Sequence, residues 1–137
     1  MPNPGDILYY KDFQFDDGSS RNKLFVVLNV ADVNSPCLLL KTTSNSERYG
    51  GVKEGCSILK RVFLIPSRWQ EWFDVDTYVQ LPQIFEISTV DLLQGTFSKM
   101  IKMEEKLSAS CFTQLRNCLR QFKEDISPQH WKLIFSS

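Results

Sequence analysis

Apolar runs separated by short polar turns dominate the first half of the chain. Ile7-Leu8-Tyr9-Tyr10, continuing toward Phe13 and Phe15, predicts a strand, because β-branched and aromatic side chains suit a pleated surface. Asp16-Asp17-Gly18-Ser19-Ser20 supplies the turn chemistry that ends it. Leu24-Phe25-Val26-Val27-Leu28 is almost unbroken in its hydrophobicity and predicts a strand covered on both faces. After the turn at Asn34-Ser35-Pro36, Cys37-Leu38-Leu39-Leu40 predicts another buried strand. It stops abruptly at Lys41-Thr42-Thr43-Ser44-Asn45-Ser46-Glu47-Arg48. The glycine-rich segment from Tyr49 to Gly55 predicts a loop.

Ile58 with Val62-Phe63-Leu64-Ile65 predicts a strand closed by Pro66, and Trp69, Trp72 and Phe73 form an aromatic knot in a turn or short helix. Thr77-Tyr78-Val79-Gln80-Leu81 predicts a fifth strand, interrupted by Pro82 and resumed by Ile84-Phe85-Glu86-Ile87. Val90, Leu92 and Leu93 lead to Gly95, with Thr96-Phe97 read as a last short strand. The period then changes. Cys111, Phe112, Leu115, Cys118, Leu119 and Phe122 fall on one stripe of an α-helix, with Ser108 placed as its N-cap. Ser127-Pro128 predicts a second start, opening a short closing helix from Gln129 to Phe135. Short strands followed by an amphipathic helix predict a mainly β fold of the α+β class, a curled antiparallel sheet with the helix packed on it. No repeat or internal boundary divides residues 1–137, so one domain is expected.

Composition narrows the class. The 137 residues are 42% hydrophobic and 12% aromatic, enough for a core rich in rings, while sixteen basic residues balance sixteen acidic ones. Zero net charge argues against holding nucleic acid by overall charge and leaves room only for a local basic patch. Cys37, Cys56, Cys111 and Cys118 form no C-x-x-C pair, and His130 is the single histidine, so neither a metal site nor a cofactor is expected. Cys111 and Cys118 read as small apolar residues of the helix stripe. The opening residues lack a signal-peptide pattern, and no apolar run is long enough to cross a bilayer. These features predict a cytoplasmic protein without membrane partners and without disulfides.

Several segments, in order, resemble one family. Gly5-Asp6-Ile7 is similar to the Gly-Asp-hydrophobic opening of the PemK/MazF toxins. Asn22-Lys23-Leu24-Phe25-Val26-Val27-Leu28-Asn29 resembles that family's second strand, usually Arg-Pro-Ala-Val-Val-Leu-Ser. Leu39-Leu40-Lys41-Thr42-Thr43-Ser44 resembles its third strand, which ends in Pro-x-Thr-Thr or Pro-x-Thr-Ser. Tyr78-Val79-Gln80-Leu81-Pro82-Gln83-Ile84 is similar to Val-x-x-Asp-Gln-Ile, and the helix following Leu107-Ser108 also fits. The resemblance implies an SH3-like barrel with a C-terminal helix, usually a homodimer. It also implies metal-independent cleavage of single-stranded RNA, and an antitoxin protein as partner.

By position, the residues that carry catalysis in the family become Lys23 and Thr43. The family pair Arg-Pro is here Lys23-Leu24, and the Asp of Asp-Gln-Ile is Pro82. Arg21, two residues before Lys23, is the candidate to replace the missing guanidinium, whose planar fork suits phosphate. Thr42, Ser44, Arg48 and Lys53 are candidate RNA contacts, with Lys60 and Arg61 as further cations near Tyr49. Each has a plainer reading: Thr42-Thr43-Ser44 as a strand end, the cations as a solvated mixed surface beside Glu47 and Glu54. The functional alternative to the nuclease is a non-catalytic barrel that binds a protein or RNA partner.

Overall fold

The computed structural model describes residues 1–70 and 74–136. Seven antiparallel strands form one sheet: β1 (Asp6–Gln14), β2 (Ser20–Val27), β3 (Cys37–Thr43), β4 (Gly55–Ser57), β5 (Val62–Ile65), β6 (Thr77–Ile87) and β7 (Ile101–Lys106). Their spatial order is β4-β5-β6-β3-β2-β1-β7, so β4 and β7 are the two edges of an open sheet. Among the described residues three α-helices accompany it: α1 (Thr89–Phe97), α2 (Ala109–Arg120) and α3 (Pro128–Phe135). The fold is α+β. None of the described helices is long and apolar enough to cross a membrane.

The near-continuous apolar strands are explained by cover on both faces of the sheet. On one face Ile7, Val26, Leu38, Leu40, Phe63, Val79 and Leu81 pack against Cys111, Leu115, Cys118 and Leu119 of α2 and Ile134 of α3. The alternate positions Leu8, Phe25, Val27, Cys37 and Leu39 point to the opposite face, where Leu92 of α1 and Ile101 cover them. A smaller cluster of Tyr49, Val62, Leu64 and Tyr78 lies under β5 and β6. Period-two alternation places these residues, since neighbours along a strand project to opposite sides.

Serine caps start all three helices. Ser88, Ser108 and Ser127 each accept a hydrogen bond from the backbone N–H three residues on, satisfying a donor the helix leaves open. Ser108 and Ser127 match the expected starts, and Pro128 occupies the first turn of α3.

Three expectations are corrected. Thr96-Phe97 ends α1 rather than forming a strand: Val90, Leu93 and Phe97 recur at helical spacing and stay exposed. Gly95 fits there because the Ile101 side chain occupies the place a Cβ would take. The strand follows instead at Ile101–Lys106, whose exposed run of charges suits an edge. Pro82 does not break its strand. β6 runs continuously through it, the proline sitting where the register with β3 shifts between Leu40 and Thr42. Disulfides are not absent either: Cys56 beside β5 and Cys118 of α2 are bonded, their Cα atoms 5.4 Å apart. The apolar stripe of α2 does place Cys118 in the core, but facing the one cysteine of the β4 edge. Of the aromatic knot, Trp69 packs on Phe63 with ring centroids 6.3 Å apart; Trp72 and Phe73 lie outside the described residues.

Candidate functional site

The apolar-to-polar switch on β3 is a change in environment within one strand, which runs on to Thr43. β2 and β3 pair Val27 with Leu39 and Phe25 with Lys41. Thr42 Oγ1 donates to the Leu24 carbonyl at 2.9 Å, so the same register persists beyond the last ladder pair and sets Lys23 beside Thr43. Alternation puts Arg21 and Lys23 on the face that Phe25 shares with Lys41 and Thr43. Two strands that read separately as loop charges and a strand end thus deliver their polar tips to one place.

A cavity of about 230 Å³ opens there, with Arg21, Lys23, Lys41, Thr43, Arg48 and Gln80 in its wall. Aromatic rings support the cations. Lys41 Nζ lies 5.2 Å from the Phe15 centroid and 6.0 Å from that of Phe85, and Lys23 Nζ is 6.0 Å from Phe15. The Arg48 guanidinium lies 5.6 Å from the centroid of Tyr49, which stacks on Tyr78 at 5.3 Å. The carboxylate in this wall, Asp17, accepts from both the Ser19 hydroxyl and its backbone N–H, which holds it below its ordinary value.

Crowding of like charge leaves its mark. Burial, then Lys41, Arg21 and Arg48, lowers the pKa of Lys23; burial, then Arg48 and Arg21, lowers that of Lys41. An anion placed among them would relieve both. A second cavity of about 650 Å³ adjoins this one, sharing Lys23 and Thr43 and bringing Glu104, Glu105 and Asp74 into its wall. Lys23 and Thr43 therefore stand between a basic and an acidic compartment. The Thr43 hydroxyl oxygen accepts from Asn45 N–H at 3.2 Å, which leaves its proton free for a ligand.

No protein-family model and no curated protein matches the chain.

The structure brings together Lys23, Thr43, Arg21 and Arg48 from the sequence-derived set, and Ser44 lines the acidic compartment. Thr42 is buried, with its hydroxyl engaged by the Leu24 carbonyl. Lys53 is exposed and lines neither cavity. Arg61 is drawn away, its guanidinium 3.3 Å from Asp125 and stacked on Phe122. His130 is bonded to Glu86 at 2.6 Å and lines other cavities, among them one of about 850 Å³ that shares no residue with the Lys23–Thr43 cavities. Lys41 and Gln80 also line the basic cavity, and neither is among the candidates taken from the sequence. Strand register would have found Lys41, because an Arg21-Lys23 face paired with Thr43 must also carry residue 41. Gln80 carried a signal of its own: a lone amide between Val79 and Leu81 in an apolar strand.

Proposed function

We propose that this protein is a toxin of the PemK/MazF type, a metal-independent endoribonuclease acting on single-stranded RNA. One observation carries the reading: Lys23 and Thr43, the two positions the resemblance selects, share one cavity wall with Arg21, Lys41 and Arg48. Such cleavage needs the 2′-hydroxyl deprotonated, the charge on phosphorus balanced and the leaving 5′-oxygen protonated. Arg21 and Lys41 face the phosphate charge, and Arg21 supplies the fork that Lys23 lacks. The free Thr43 proton donates to a phosphate oxygen. Lys23, with its lowered pKa, protonates the 5′-oxygen, while Glu104 or Glu105 across the Lys23–Thr43 divide takes the 2′-proton.

The SH3-like curl of the sheet, a homodimer, an antitoxin covering the cavity and a cytoplasmic location belong to the same proposal. The Cys56–Cys118 bond is its most demanding feature there, since cytoplasmic thiols are mostly kept reduced. Expression in a bacterial host, followed by mapping of RNA 5′ ends, tests the reading: growth arrest with new ends at a recurrent short sequence is expected. Arrest without new ends would remove it.

A second reading, a non-catalytic fold that binds RNA or a protein, is favoured by Asp17. The carboxylate of the basic wall is held ionised by Ser19, so that wall binds anions without offering a good base.

A further inference from the structure

Gln80 is 8% exposed, lies on β6 between two core residues and lines the basic cavity. Its Nε2 donates to Tyr49 Oη at 2.8 Å, and that ring is itself stacked on Tyr78. In this orientation Nε2 faces the tyrosine hydroxyl and Oε1 turns away from it. Its Oε1 is buried and has no hydrogen-bond partner. Unpaired buried acceptors cost folding free energy and are uncommon, so this one calls for a donor that arrives with a ligand. Arg21, Lys23, Lys41 and Arg48 share the surrounding wall, which points to a ligand that is an anion carrying a hydrogen-bond donor near its charge. A nucleotide phosphate with an adjacent ribose hydroxyl or base N–H has this chemistry.

We propose that Gln80 is a specificity-determining residue: its Oε1 accepts a hydrogen bond from a donor next to the phosphate held by Arg21, Lys23 and Lys41. The assignment rests on the reading of the cavity as an RNA-phosphate site. Tyr49 is the positioning residue, acting through the amide. A 2′-hydroxyl as donor would let the site distinguish RNA from DNA. A base N–H as donor would let it distinguish among bases.

Nucleoside 3′-monophosphates test this, because they carry phosphate and 2′-hydroxyl together and are not cleaved. Titrations followed by NMR would compare the four ribonucleotides, their 2′-deoxy counterparts and inorganic phosphate. The wild type is expected to prefer the ribo form about 3- to 10-fold, the value of one hydrogen bond. Gln80→Met, close in shape, should abolish that preference. If Gln80→Met keeps the ribo preference but levels the ranking of the four bases, the donor is a base N–H and the assignment stands. Should the variant fail to fold, Gln80→Glu retains an acceptor; in a folded sample it should keep the preference while weakening phosphate, and a lost preference overturns the proposal. Phosphate binding with neither ratio moved in folded Gln80→Met overturns the Gln80 assignment alone. No phosphate binding to the wild type overturns the cavity reading beneath it.

Discussion

Lys23 and Lys41 hold their ammonium groups over the same ring, at 6.0 Å and 5.2 Å from the Phe15 centroid. Neither has an acidic partner within ion-pairing distance among the described residues. Two cations brought together at one aromatic ring form an arrangement that costs stability unless an anion joins them, and functional sites commonly store such costs.

Replacing Lys23 by Met should therefore raise thermal stability near neutral pH while weakening phosphate binding. The gain should be about 0.2–1 kcal/mol, because solvent screens a half-exposed lysine. The sign follows from linkage. The folded pKa of Lys23 lies below its ordinary 10.5, so between the two values the unfolded chain holds the extra proton. Wild-type stability rises with pH across that window, and the advantage of Lys23→Met should shrink as pH approaches 10.5. Urea melts at several pH values check this; a variant less stable than wild type at neutral pH would contradict it.

Thr42 and Thr43 should separate stability from activity. Thr42→Val removes the hydroxyl's bond to the Leu24 carbonyl and should cost about 0.5–1.5 kcal/mol, the net value of one such bond. Thr43→Val should leave the melting midpoint nearly unchanged and lower RNA cleavage about 100- to 1000-fold, the usual effect of removing one donor from a preorganised site. Denaturant melts paired with cleavage rates on both variants measure the separation.

The Cys56–Cys118 bond closes a loop with a sequence separation of 62 residues. A chain-entropy treatment gives such a closure about 4 kcal/mol. Cys56→Ser, chosen because Cys56 is exposed while Cys118 is buried, should lower stability by up to that amount. The loss should equal that seen on adding a reductant to the wild type. Free-thiol counts on the unfolded protein verify the bond: Cys37 and Cys111 are the two free thiols, so two are expected before reduction.

Much of this architecture was legible in the residues. The strands at Ile7, Leu24, Cys37, Val62 and Thr77 announced themselves by β-branched and aromatic runs, and α2 by its stripe and Ser108. The failures are local. Thr96-Phe97 has strand-forming residue types, but the cap at Ser88 and packing of Gly95 against Ile101 decide for helix. β7 was invisible because an edge strand rich in Lys and Glu carries no apolar alternation. The disulfide escaped because cysteines far apart in sequence meet only once α2 packs on the β4–β5 hairpin. At the cavity, motif order selected Lys23 and Thr43, which share one wall, whereas placing Lys41 and Gln80 in that wall required the pairing of β2 with β3 and of β3 with β6.

Lys23 and Thr43 are the heart of the proposed phosphate-cleaving site. Its most direct test is incubation of purified protein, in excess and in the presence of a metal chelator, with a mixed-sequence single-stranded RNA labelled at one end. Discrete fragments are expected from the wild type, at least 100-fold fewer from Thr43→Val, and undiminished cutting with the chelator present. Intact RNA from a folded wild-type sample, or equal cutting by Thr43→Val, would contradict it.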